Sequence, residues 1–191
     1  MTNTSRSQRW ANKLLCLSDF AESLTCLVTA SHPTRRVGCV IIDQDVTEVV
    51  AFGFNGVAQG QSITDDESGD QHAEVNAMVK VSSRFPMELR SMIMIVTTPP
   101  CKKCAGYILN AAYIGLLVTH HDLEAHQIVR EYDDLEDKGQ CLFDPTDGVE
   151  LLMNAGIPVI DWELLAVASR DPSIDSEETI AQIREDLAKW R

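Results

Sequence analysis

The sequence predicts a layered α/β domain on three observations: an N-terminal apolar stripe at helical spacing, short apolar runs parted by polar turns, and later helical stretches alternating with strand-like ones. In residues 10–30, Leu14, Leu17, Ala21, Leu24 and Val28 recur three and four apart, so one helical stripe faces a core, and Pro33 helps to stop the helix. Residues 37–42 and 49–54 read as strands joined in a hairpin through Asp43-Gln44-Asp45. The acidic, glycine-containing stretch 55–70 reads as a loop that borders a pocket and leads into a helix at His72. Residues 91–98 form a third strand ended by Pro99-Pro100, so that Cys101 and Cys104 open the next helix. A fourth strand at 114–119, a helix at 149–154 closed by Gly156 and a fifth strand at 157–160 complete the pattern. Because a helix lies between the last two strands, they can run parallel through a right-handed crossover. By itself the pattern describes a three-layer α/β sandwich.

His72-Ala73-Glu74 and Pro100-Cys101-Lys102-Lys103-Cys104 carry the chemistry. The histidine lies 29 positions before the first cysteine, so each half of the site can sit on its own helix. One imidazole nitrogen and two thiolates fill three corners of a tetrahedron and leave the fourth to water, which is the pattern of a catalytic rather than a structural zinc site. Free amides at a helix start favour thiolate over thiol there. Glu74, two residues past the histidine, reaches that water without ligating the metal and can carry its proton. A cysteine pair at this spacing also suits a redox couple, and a closed structural site would recruit Cys39 or Cys141 as a fourth ligand. The His-x-Glu pairing argues against both.

Composition bounds the rest. The chain has 191 residues, 45% of them hydrophobic, enough for one core and for a single domain with extensions. Cys16, Cys26 and Cys39 fall within apolar patterns as free thiols do, which places the chain in a reducing compartment. The N-terminus lacks an apolar signal core and no apolar run reaches membrane-spanning length, so a soluble cytoplasmic protein with no membrane partner is expected. A net charge of −13 disfavours a polynucleotide partner, which needs a clustered positive surface.

The residues quoted resemble the zinc-dependent cytidine/deoxycytidylate deaminase superfamily, whose signature is H-x-E with P-C-x-x-C. Within it they are most similar to dCMP deaminases: His72-Ala73-Glu74-Val75-Asn76-Ala77 matches H-A-E-x-N-A, Gly53-Phe54-Asn55-Gly56 resembles G-Y-N-G, and Ser31-His32-Pro33-Thr34-Arg35-Arg36-Val37-Gly38 resembles the approach to the first strand. The resemblance spans about residues 10 to 161, with 120–146 poorly matched. It implies an α/β/α cytidine-deaminase-like sandwich around a five-stranded mixed sheet, with residues 1–162 as the deaminase domain, 120–146 as a variable insertion and 163–191 as an acidic amphipathic helical extension. It implies one catalytic zinc on His72, Cys101 and Cys104, with Glu74 moving protons, the Ala73 amide holding the base carbonyl and Asn55 the sugar hydroxyl. Read without the family, Asn55-Gly56 is a turn signal. The reaction implied is hydrolytic deamination of dCMP to dUMP and ammonia, supplying dUMP for thymidylate synthesis.

A deoxycytidine mononucleotide needs only a few local cations for its phosphate, and Arg35, Arg36, Lys102 and Lys103 stand near the site, with Arg35 or Arg36 favoured. Tyr132 corresponds to an aromatic residue that covers the nucleotide in relatives, or simply packs its loop. His120, His121 and His126 are grouped, but no second metal is assigned to them. Glu150 stands where several relatives carry a basic residue, which leaves room for a 5-substituted or differently phosphorylated cytosine nucleotide. Relatives assemble as dimers or hexamers, and some respond to dCTP or dTTP with Mg2+; the 55–70 stretch matches their effector region only in part. The tail carries Asp175-Ser176-Glu177-Glu178 before a stripe of Ile180, Ile183, Leu187 and Trp190, an amphipathic helix that docks on its own domain or on a neighbouring subunit. Three other readings share features of the chain: a nucleic-acid or tRNA deaminase, which needs a basic surface; a riboflavin-pathway deaminase, whose reductase domain is not found in this sequence; and a zinc-containing nucleotide sensor.

Overall fold

The computed structural model describes residues 6–27, 36–57, 70–81, 89–119, 145–162 and 165–166. Five strands form the main sheet: β1 (Gly38–Asp43), β2 (Val49–Phe54), β5 (Met92–Val96), β6 (Ile114–Thr119) and β7 (Val159–Asp161). Their order is β2-β1-β5-β6-β7. β1 runs antiparallel to β2 and β5, whereas β5–β6 and β6–β7 are parallel, so the sheet is mixed as expected. The helices are α1 (Arg6–Ser23), α2 (Ala73–Met78), α3 (Lys102–Ala111) and α4 (Pro145–Asn154).

The inner strands are apolar along their whole length because both faces of the sheet are covered. Val40, Ile42, Ile93, Ile95, Leu116 and Val118 pack on one side with Trp10, Leu14, Ala21 and Leu24 of the N-terminal helical segment. Cys39, Ile41, Met92, Met94, Val96 and Leu117 pack on the other with Ala73, Ala77, Ala105, Ile108 and Leu152 from α2, α3 and α4. These are the three layers of an α/β/α sandwich. No helix among the described residues is long and apolar enough to cross a membrane.

Several boundaries differ from the sequence reading. α1 ends at Ser23, whose hydroxyl donates to the Phe20 carbonyl at 2.7 Å, and a 3-10 turn, Leu24–Leu27, follows; Pro33 lies outside the described residues. The ends of the supposed 55–70 loop pair as a two-stranded ladder, β3 (Gly56–Val57) with β4 (Asp70–Gln71). This pairing delivers the chain to His72 beside the end of β2. α4 begins at Pro145, within the stretch assigned to the insertion, since proline suits a first helical turn. It ends in a Schellman motif: Ile157 N–H donates to Leu152 O at 3.0 Å and Gly156 N–H to Met153 O at 2.9 Å, with Gly156 at φ 78°. That turn consumes the expected start of the last strand. Arg90 adds a fork onto the same helix end, its guanidinium donating to the Gly156 and Ala155 carbonyls at 2.6 and 2.7 Å. The C-terminal stripe and the histidines from 120 to 126 lie outside the described residues.

Candidate active site

His72 is the N-cap of α2 and Cys101 the N-cap of α3, both in extended conformation immediately before their helices. The Cys101 sulfur accepts from the Cys104 N–H at 3.4 Å, satisfying one amide of the first turn. His72 Nδ1 lies 3.7 Å from Cys101 Sγ and 3.3 Å from Cys104 Sγ. Ligand atoms of the three residues all fall within 4.8 Å of one another. Zinc bonds of ~2.3 Å to sulfur and ~2.0 Å to nitrogen at tetrahedral angles put sulfur and nitrogen about 3.5 Å apart. The observed pair brackets that value, so donor set and spacing both fit a zinc ion. Cys39 is buried in β1 and does not join this group among the described residues, and Cys141 lies outside them.

The electrostatics agree with a ligand set. Hydrogen bonding from the Cys104 side chain, aided by His72 and the Cys104 amide, pulls Cys101 down to about 4. Sharing that proton with Cys101, and burial, hold Cys104 far above the ordinary thiol range. His72 is raised chiefly by its hydrogen bond to Cys101. Glu74 is only 4% exposed, and burial raises its carboxyl above the usual range while His72 opposes the rise. Glu74 is the second residue of α2, two positions past His72, so the helix that starts at the histidine also carries the buried carboxyl. Burial, and then the Glu74 charge, raise Cys39 well above the ordinary thiol range.

Two glycines allow the supports to approach so closely. A Cβ on Gly53 of β2 would lie 2.5 Å from the Ala77 nitrogen, 2.6 Å from the Ala73 oxygen and 2.9 Å from the Asn76 carbonyl carbon, so the α2 backbone rests directly on the strand. A Cβ on Gly148 of α4 would overlap the Pro100 oxygen and meet the Cys101 carbonyl carbon at 2.9 Å.

Of the remaining candidates, Ala73, Asn55, Arg36, Lys102 and Lys103 fall among the described residues. Ala73 is fully buried next to His72. Asn55, the single residue between β2 and β3, is 8% exposed; its Oδ1 accepts the Val37 N–H at 2.7 Å and its own N–H donates to Val37 O at 3.1 Å. That reciprocal pair seats exposed Arg36 one residue from Asn55's partner. Lys102 is exposed and faces Asp147 of α4 at 3.7 Å. Lys103 is exposed too, and Arg35 and Tyr132 lie outside the described residues. Sequence reasoning gave no role to Asn76, whose Nδ2 donates to the Phe54 carbonyl at 2.8 Å and ties α2 to the end of β2. Its place in the His72–Ala77 run was the available signal.

An α/β/α sandwich with a His-Cys-Cys zinc-type centre and a buried carboxylate beside it defines a class, the zinc-dependent hydrolytic deaminases. Residues 17–120 match the model of the cytidine and deoxycytidylate deaminase zinc-binding region, and the chain belongs to this family. Among solved structures, the dCMP deaminase of cyanophage S-TIM5 in complex with dCMP and dUMP has the same fold, with a TM-score of 0.54 at 19% identity over 76% of this chain and 93% of that one. The apo form of that enzyme is similar at a TM-score of 0.46 and 19% identity, over 60% of this chain and 86% of that one. A mutant of NE0047 in complex with 8-azaguanine is similar at 0.49 and 16%, over 97% and 86%. No curated protein matches the sequence.

Proposed function

We propose that the protein hydrolytically deaminates dCMP to dUMP and ammonia. The observation that carries the reading is the His72, Cys101 and Cys104 cluster, its ligand atoms within 4.8 Å of one another, with buried Glu74 two residues past the histidine and Asn55 paired to Val37 beside Arg36. Zinc held by His72, Cys101 and Cys104 supplies Lewis-acid activation of a water, bringing its pKa towards ~7. Glu74 accepts a proton from the attacking water and delivers one to the ring nitrogen beside the reacting carbon, which makes that carbon electrophilic. It then takes the proton of the added hydroxyl and passes it to the exocyclic amine, which leaves as ammonia while the carbon–oxygen double bond forms. Burial suits Glu74 to this work, since a carboxyl raised above its ordinary range holds a proton nearer neutral pH.

The Ala73 amide holds the base carbonyl and Asn55 the sugar hydroxyl. Arg36, with Arg35, meets the 5′-phosphate, and Tyr132 covers the nucleotide. The protein works in a reducing cytoplasm as a dimer-based homo-oligomer. Ammonia release from the zinc-loaded protein, measured on dCMP, deoxycytidine, dCTP, 5-substituted dCMP and single-stranded DNA, tests the reading. Turnover confined to dCMP-type monophosphates, and lost in Glu74→Ala with zinc retained, is the expected result; silence on every nucleotide at one zinc per chain refutes it. A 5-substituted or differently phosphorylated cytosine nucleotide is the second reading. It is favoured by the pairing of Lys102 with Asp147 and by exposed Glu150 on the same helix, which leave α4 offering carboxylates where a phosphate would want cations.

A further inference from the structure

A chain of polar contacts crosses the strand ends between the two halves of the metal site. It starts on the helix of Glu74, where Asn76 Nδ2 donates to the Phe54 carbonyl at 2.8 Å. The next residue, Asn55, exchanges two hydrogen bonds with Val37. The residue after Val37, Gly38, donates its N–H to Thr97 Oγ1 at 3.1 Å and accepts the Thr97 N–H at 3.0 Å. Thr97 in turn stands four residues before Cys101. α2 lies directly on Gly53, and the amide of Asn76 ties this helix to the strand at the point where β2 gives way to Asn55.

We propose that Asn76 is a positioning residue: by holding the Phe54 carbonyl it sets the placement of Asn55 relative to Glu74, and so sets discrimination for the sugar of the substrate. The inference rests on the nucleotide reading for the role of Asn55, and on the observed hydrogen bonds for the role of Asn76. Replacing Asn76 by Asp keeps the shape but sets an acceptor against a carbonyl oxygen; replacing it by Ala removes the contact. Both leave His72, Glu74, Cys101 and Cys104 unsubstituted and keep the backbone bond from Asn76 N–H to the His72 carbonyl at 3.0 Å.

The test compares wild type, Asn76→Asp and Asn76→Ala as full-length, zinc-loaded protein. Two readouts are taken: kcat and KM on dCMP and on its 2′,3′-dideoxy analogue, and amide hydrogen exchange at Val37 and in β5. The expected result is one zinc per chain in all three and kcat on dCMP within about threefold of wild type. KM for dCMP rises about tenfold, and the preference for dCMP over the dideoxy analogue falls by about tenfold. Val37 exchange accelerates at least roughly tenfold while β5 is unchanged. The proposal is overturned if both substrates lose kcat/KM by the same factor with Val37 unaffected, or if zinc and fold are lost together in both variants. Should wild type itself leave every cytosine nucleotide untouched, the nucleotide reading falls; Val37 exchange then decides whether Asn76 positions Asn55.

Discussion

Gly53→Ala perturbs the histidine half of the centre without touching any functional side chain. The added carbon would meet three backbone atoms of α2, the nearest at 2.5 Å. Ordinary contact begins near 3.4 Å, so strand and helix must separate by 0.9 Å in that direction. Rotamer changes cannot relieve the clash, because backbone lies on both sides. Overpacking of this kind costs about 1–3 kcal/mol. Gly53 has an ordinary strand conformation, so alanine also restricts the unfolded chain and returns about 0.4–1 kcal/mol. The clash prevails, leaving a net loss of about 1–2 kcal/mol. Zinc binding is the more sensitive observable: a metal site tolerates about 0.2 Å in its donor distances, and α2 carries His72 at its start. Zinc affinity, measured by competition with a chromogenic chelator, should fall at least about tenfold, alongside a lower urea midpoint. Gly106→Ala is the control, since a Cβ there meets nothing within 4 Å in the interior of α3 and should stabilise by about 0.5–1 kcal/mol with zinc affinity unchanged. A Gly53→Ala protein that binds zinc as tightly as wild type and unfolds no earlier would refute the claim that direct contact with β2 sets the position of His72.

Three other outcomes follow from the same geometry. Ala112 ends α3 at φ 63°, a conformation that costs an L side chain about 1 kcal/mol, so Ala112→Gly should raise the urea midpoint by about that energy; an unchanged or lower midpoint contradicts it. Arg90→Met removes two charge-assisted donors from the carbonyls that end α4 and should destabilise by about 1–3 kcal/mol, read as a lower Tm with zinc stoichiometry retained. Zinc uptake should release protons. Near neutral pH, Cys101 is already a thiolate at about 4, Cys104 holds its proton, and His72, raised, holds part of one, so about one to two protons leave per zinc. Affinity therefore rises with pH, and the release falls towards about one as pH passes the His72 range; calorimetry in buffers of different ionisation enthalpy measures both.

The clustering of His72, Cys101 and Cys104 was legible because tetrahedral zinc restricts which residue types would serve, and the spacing restricts where they stand. The inner strands were legible because burial on both faces turns them into unbroken apolar runs, as in residues 92–96 and 114–119. A two-residue ladder such as β3 with β4 has no periodicity to read, so that stretch looked like a loop throughout. The start of α4 was missed because Pro145 and Thr146 precede its apolar pattern. The clamp by Arg90 joins residues more than sixty positions apart, a pairing that no local rule predicts.

The least legible features are those that set the precision of the centre. A glycine chosen because a backbone must pass within van der Waals distance looks, in sequence, the same as one chosen for a turn. Gly53 precedes an Asn-Gly pair, which invites the turn reading, yet its function is the space it leaves for Ala73, Asn76 and Ala77. Asn55 carries the same ambiguity at the level of hydrogen bonds. Its Oδ1 is committed to the Val37 amide, as a structural asparagine's would be, and that bond also fixes the orientation of the side chain. The structural role is therefore compatible with the proposed sugar contact. A site held to a fraction of an ångström has to orient its binding groups before substrate arrives, and a residue already satisfied on one side by backbone is better oriented than one left free to rotate.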